Sequence, residues 1–285
     1  MLNVSLLLFV TLLPGAAFAH DPDTEADEIF RARTIDLLEQ DLARFSEVRD
    51  GPSALVPGPI SHPGRFISGI TTPPPPMRVA LTFDDGPDAE AAPYILDVLA
   101  KYRVHAAFFM KGNEAEAHPD LVRRIAADGH LIIGNHSWSH PDFHTIPPAQ
   151  QAEEVRRNFE LLGQYQHPKL FRYPYGNSTP ETNDLVHSMG YEIVGWHVDS
   201  CDWAYNKTGS VDEARAKICG VAPEDRDNFQ GHVVHALLDR RGGILLMHEI
   251  QPNTIRQLDQ IMAKLVREGF SFGTLDEADF RPSFY

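Results

Sequence analysis

Val79-Ala80-Leu81-Thr82-Phe83-Asp84-Asp85-Gly86-Pro87 is a short apolar, β-prone run stopped by an acidic turn. Helical spacing follows over residues 94–102, then a second strand over 105–110 and a second helix over 119–127. The alternation continues: a strand at 131–133, an amphipathic helix at 148–165, a strand at 170–173, and a helix ending near Gly190. A strand over 191–198, helical pieces within 211–240, a strand at 244–247, a helix at 255–268 and a closing strand at 270–275 complete it. About seven β–α units in one direction imply parallel strands with helical crossovers, closed into a barrel or left as an open sheet. In such folds the chemistry lies at the C-terminal ends of the strands.

Upstream of this domain, which spans 77–285, the chain reads differently. Residues 1–19 read as a signal peptide: an apolar run from Leu6 to Leu13, then Pro14-Gly15 and Ala17-Phe18-Ala19. No Lys or Arg precedes that run, a departure from the usual pattern. The expectation is an exported protein, periplasmic or secreted, with no stable membrane span after cleavage. Residues 20–76 read as an exposed helical arm ending at Asp50-Gly51-Pro52, followed by a Pro-rich extended lead-in. The 285 residues carry a formal net charge of -15, which disfavours a nucleic-acid partner. Two cysteines, Cys201 and Cys219, permit a disulfide in an exported chain, although sequence alone leaves open whether the sulfurs meet.

Polar clusters fall where the strand-end rule expects chemistry. Asp84-Asp85 end the first strand, His136 and His140 follow the third, and Arg172 to Tyr175 end the fourth. Asp199 to Trp203 end the fifth and His248 the sixth. His136 and His140, four residues apart, would face one ion from a single helical turn. With a carboxylate from a neighbouring strand they make a three-ligand site with an open position, the arrangement of catalytic rather than structural zinc. Asp84 and Asp85 are adjacent and diverge, so one can bind metal while the other faces water. Taken singly, each feature has a plainer reading. Asp-Asp-Gly-Pro is a turn former, Arg172 a structural ion pair, Asp202 a helix cap, and Trp203 core.

These motifs together resemble the polysaccharide deacetylases, carbohydrate esterase family four. Thr82-Phe83-Asp84-Asp85-Gly86-Pro87, His136-Ser137-Trp138-Ser139-His140, Arg172-Tyr173-Pro174-Tyr175-Gly176, Asp199-Ser200-Cys201-Asp202-Trp203 and Leu246-Met247-His248 match its signatures in order. The resemblance covers roughly residues 77–277. It implies an α/β fold, a distorted (β/α)7-type barrel, here with the N-terminal helical arm. It implies a divalent metal on Asp85, His136 and His140, Zn²⁺ first, with Co²⁺, Ni²⁺ or Mn²⁺ as alternatives. The metal would polarise the acetyl carbonyl and acidify water. Asp84 would be the general base, held ionised by Arg172, and His248 the general acid, oriented by Asp202. The Tyr175 backbone N–H would serve the oxyanion, and Trp203, Leu246 and Pro174 would wall the substrate pocket.

The implied reaction is hydrolysis of N-acetyl groups on a polysaccharide, peptidoglycan N-acetylglucosamine first and chitin oligosaccharide second. An O-acetyl xylan esterase and a non-catalytic glycan-binding protein are the alternatives. His248-Glu249 does not begin a zincin motif, because position 252 is Pro, and no Gly-x-Ser-x-Gly elbow occurs. His197 reads as a satisfied barrel residue, Asp199 fits the fourth motif but is assigned no role of its own, and the Asn135-His136-Ser137 sequon reads as unused.

Overall fold

The computed structural model describes residues 65–66, 70 and 72–285. The segments read from sequence as a signal peptide and a helical arm, and most of the lead-in, lie outside the described residues. Ten strands and eight α-helices follow one another along these described residues. They run β1 (Arg65–Phe66), β2 (Arg78–Asp84), α1 (Ala91–Tyr102), β3 (Ala106–Met110), α2 (Gly112–Ala117), α3 (Pro119–Ala127) and β4 (Ile132–Asn135). Then come α4 (Pro148–Leu162), β5 (Leu170–Phe171), β6 (Asn177–Ser178), α5 (Pro180–Ser188), β7 (Glu192–Ile193) and β8 (Val198–Asp199). Finally come α6 (Glu213–Cys219), α7 (Phe229–Arg240), β9 (Gly242–His248), α8 (Pro252–Arg267) and β10 (Ser271–Phe272).

Eight strands form one parallel sheet in the order β7-β5-β4-β3-β2-β9-β8, with β10 paired to the start of β2. The two end strands do not pair with each other, so the sheet is a half-barrel. β2 and β9 are its centre, in register from Arg78–Gly242 to Asp84–His248. Both strands are buried along nearly their whole length, which is why they read as continuous apolar runs. Ala80, Ala107, Phe109, Leu170, Ile244 and Leu246 share one buried cluster on the inner face. Side chains alternate along a strand, so Thr82 and Asp84 continue the inner row begun by Ala80, and His248 continues that of Leu246.

The strand expected over 191–198 is two short strands. The first pairs with β5 and the second with β9, at opposite ends of the sheet order, and Arg172 lies against the break: its Nε and one terminal nitrogen donate to the carbonyls of Val194 and Gly195, at 3.3 and 3.0 Å. Those carbonyls are therefore turned into the barrel, while Val194 bridges to Phe284. The end of the lead-in belongs to this framework. β1 pairs antiparallel with β6, Ile70 is buried in the inner cluster, and the Thr72 carbonyl accepts from His197 Nε2 at 3.1 Å. His197 Nδ1 accepts from Ile244 N–H at 3.0 Å, so both ring nitrogens are engaged in structure.

Candidate active site

Asp84 ends β2 with its side chain on the inner face, and the next residue breaks away. Asp85 has φ +76°, a left-handed turn that departs from strand alternation, and its carboxylate, like that of Asp84, lies within 4 Å of His136 Nε2. Gly86 follows because a side chain there would collide with the Glu249 carboxyl. His136 and His140 leave β4 in a loop and not in a helical turn, contrary to the spacing argument. Ser137 at φ +64° and His140 at φ +63° fold the loop back on itself. The imidazoles still converge, with ring centroids 4.9 Å apart.

Asp85 Oδ1 lies 3.8 Å from His136 Nε2 and 3.4 Å from His140 Nε2. It is buried and has no hydrogen-bond partner, an expense that an ion would remove. His136 Nδ1–H donates to the Arg172 carbonyl at 2.8 Å, which leaves Nε2 as a lone pair facing the carboxylates. Burial pushes both histidines down to about 4, against the pull of Asp85, so both are neutral donors near pH 7. Burial tends to raise Asp85, but His140, His248, His136 and Lys111 together bring it below the ordinary carboxylate range. One carboxylate oxygen and two imidazole nitrogens within 4.8 Å of one another fit a divalent cation of the zinc type.

The remaining ionisable groups form two pairs beside this donor set. Arg172, fully buried, donates to Asp84 Oδ1 and to Thr82 Oγ1, both at 2.8 Å. Asp84 Oδ2 is left 3.6 Å from His136 Nε2. Burial raises the Asp84 carboxyl, and Arg172 and His248 oppose that rise without cancelling it. Arg172 therefore restrains Asp84 rather than simply holding it ionised. On the adjacent strand, His248 Nδ1 bonds Asp202 Oδ1 at 2.7 Å, and the His248 N–H donates to Asp202 Oδ2 at 2.7 Å. Thr254 Oγ1 also donates to Oδ2, at 2.6 Å, so Asp202 is a tether for His248 and caps no helix. Burial would lower His248, but Asp202, Asp85 and Asp84 raise it to about 10.

The third motif turns sharply. Tyr175, at φ +58°, sits inside a 3₁₀ turn after Pro174, and its ring packs edge-on to His140 with centroids 4.6 Å apart. Leu246 and Pro174 are buried, whereas Trp203 is partly exposed. Cys201 and Cys219 are disulfide-bonded, with Cα atoms 5.9 Å apart. Asn135 is buried, its amide bonded to the Ser137 N–H and the Val155 carbonyl, which agrees with an unused sequon.

Several supporting residues escaped the sequence reading. Glu154, from α4, accepts from the backbone N–H of Trp138 and Ser139 at 2.9 and 2.7 Å and from Ser139 Oγ at 2.7 Å. Asn158, one turn on, donates to the carbonyls of Met110 and Ser137. Gln151, Glu154 and Asn158 are buried polar residues at helical spacing, the signal that could have found them. Glu249 is a second case. Its N–H donates to the Asp84 carbonyl, its Oε1 accepts from Asp88 N–H, and burial raises it to about 8.

A family profile described as polysaccharide deacetylase matches residues 71–194. The peptidoglycan-N-acetylglucosamine deacetylase PgdA of Listeria monocytogenes is 32% identical over 204 residues, 70% of this chain. The match spans only 38% of that protein's length. A peptidoglycan-N-acetylglucosamine deacetylase of Bacillus cereus is 34% identical over 221 residues, 76% of this chain and 74% of that protein. Among solved structures, the Bc1960 peptidoglycan N-acetylglucosamine deacetylase in complex with 4-naphthalen-1-yl-N-oxidanyl-benzamide superposes with TM-score 0.58 and 30% identity. That superposition covers 74% of this chain and 91% of the other.

Proposed function

The chain belongs to the polysaccharide deacetylase family, and from that premise we propose that it hydrolyses N-acetyl groups of a glycan to free amine and acetate. Peptidoglycan N-acetylglucosamine is the first candidate substrate and chitin oligosaccharide the second. The observation that carries this reading is the pairing of a buried carboxylate, Asp84, with a buried-edge imidazole, His248. They are cross-strand neighbours flanking a three-donor site, and each is bound to its own counter-charge.

Asp85, His136 and His140 would hold a divalent cation, Zn²⁺ by donor type, which when bound supplies polarisation of the acetyl carbonyl and acidification of a water. Asp84 accepts the water proton on Oδ2, the oxygen that Arg172 leaves free. The water oxygen adds to the acetyl carbon, and the Tyr175 backbone N–H donates to the oxyanion. His248 then delivers a proton from Nε2 to the amide nitrogen as the C–N bond breaks, while Asp202 keeps Nδ1 occupied. Acetate and the amine are the products. Against the lowering effect of burial, Asp202 raises His248, which suits an amine leaving group, one that departs poorly unless protonated. Trp203, Leu246 and Pro174 confine the acetyl methyl. The Cys201–Cys219 bridge supports placing the protein outside the cytoplasm, in the periplasm or secreted.

The test is acetate release from peptidoglycan, chitin oligosaccharides and acetylxylan, with and without chelator, for the wild type and Asp84→Asn. Chelation should abolish turnover, and Asp84→Asn should lower kcat by roughly 10²- to 10⁴-fold. Equal rates for wild type and variant would overturn the base assignment. Release from acetylxylan alone would replace the amide reading with the ester one.

A further inference from the structure

Asp199 lies on β8 opposite Leu246 of β9, and it is the first residue of the turn that carries Asp202 and Trp203. Its carboxylate takes no part in the proton transfers proposed above. Instead it gathers the turn around itself. Oδ1 accepts the Cys201 N–H at 2.7 Å, and the Trp203 indole Nε1–H donates to Oδ1 and Oδ2 at 3.3 and 3.4 Å. The Asp199 carbonyl is held as well, by His232 Nε2 of α7 at 3.1 Å. Cys201 adopts φ +59°, a conformation that an L-residue seldom adopts unless its surroundings impose it. Its disulfide to Cys219, at the end of α6, supplies that restraint and keeps its N–H aimed at Asp199. Both sulfurs are used in the bridge, so this group of side chains is no second metal site.

We infer that Asp199 is a specificity-determining positioning residue, which fixes the Trp203 indole beside Leu246 and so sets the size of acyl group the site accepts. The inference rests on the reading of Trp203 and Leu246 as the acyl wall. An indole free to swing about χ1 and χ2 would leave a wider slot; one tied by its N–H to a carboxylate on the strand paired with β9 has one position. A wall at a fixed distance discriminates by single methylenes, an effect worth roughly tenfold or more in kcat/KM.

The experiment compares kcat/KM for N-acetyl and N-propionyl chitooligosaccharides of one length, using wild type, Asp199→Asn and Asp199→Ala. Asparagine keeps an acceptor oxygen for both the Cys201 N–H and the indole, and should hold the acetyl-to-propionyl ratio within about threefold of wild type. Alanine releases the indole and should lower that ratio about tenfold, with the propionyl substrate gaining relative to acetyl. Should Asp199→Ala fail to fold, Trp203→Phe removes the indole N–H and leaves the carboxylate and its Cys201 bond. It should lower the ratio in the same direction. An unchanged ratio in a folded Asp199→Ala or Trp203→Phe protein that still releases acetate overturns this inference alone. A wild type that turns over neither substrate overturns the functional reading and this inference with it.

Discussion

Both carboxylate oxygens of Asp202 hold His248, one at the ring and one at the backbone N–H, and they also accept from the Trp203 N–H and from Thr254 Oγ1. The consequence is a histidine raised to about 10 despite burial that would lower it. Replacing Asp202 with Asn removes the charge and leaves burial as the larger influence, so the His248 pKa must fall. The acid form is then lost at a lower pH. We expect Asp202→Asn to shift the alkaline limb of the kcat/KM profile down in pH and to lower kcat by about 10²-fold or more. An alkaline limb that stays where the wild type has it would remove Asp202 from this role. Such residues were legible because they sit at strand ends in an alternating chain, where ionisable side chains have little structural reason to gather. Arg172 was legible as a partner of Asp84, but not as the residue that binds the Val194 and Gly195 carbonyls where the chain passes from β7 to β8. A sequence shows that a guanidinium is present; which of its five N–H groups find carbonyls depends on neighbours far along the chain.

At the scale of elements, the loop between β4 and α4 is where sequence and structure part. The H-x3-H spacing pointed to a helical turn, and the chain instead uses two left-handed residues to bring the imidazoles together. Such a loop has no helical ladder of its own, so its N–H groups need acceptors from elsewhere. Glu154 provides them, from the inward face of α4 and fourteen residues beyond His140 in sequence. In the run Glu153-Glu154 nothing in the sequence says which carboxylate faces in; Glu153 pairs with Arg156 at the surface. Glu154→Gln keeps one acceptor oxygen and puts an amide donor against the loop N–H groups. We expect its affinity for Zn²⁺ to drop about 10- to 100-fold, as measured by competition with a chromogenic chelator, although no metal ligand is altered. Zn²⁺ affinity equal to wild type would show that the ligand loop holds its shape without α4.

The pH dependence of stability belongs to the whole molecule, because groups buried throughout the half-barrel titrate against one another. His136, His140 and His197 have folded values of about 4 against an ordinary 6.5. Between those values the unfolded chain binds more protons than the folded one, so their contribution to stability grows as pH rises. Asp199 is raised to about 6 and Glu249 to about 8, both chiefly by burial. For these the folded state holds the proton longer, and stability falls as pH rises from their ordinary values to those folded values. His248 acts in the same direction from 6.5 up to about 10. Below about pH 6.5 these three histidines and His232, also lowered by burial, favour rising pH against Asp199, Glu249 and Asp84, whereas above it Glu249 and then His248 act without opposition from the histidines. The metal-free protein should therefore be most stable near pH 6–7, and its Tm should decline toward both pH 4 and pH 10. Adding Zn²⁺ at pH 7 should raise Tm, because the ion binds the folded donor set in preference to the unfolded chain. It should do so much less at pH 4, where protons compete for both imidazoles. Scanning calorimetry of chelated and Zn²⁺-loaded protein across this range checks both statements. A Tm for the chelated protein that climbs steadily to pH 10 would mean that His248 and Glu249 are not held protonated by the fold.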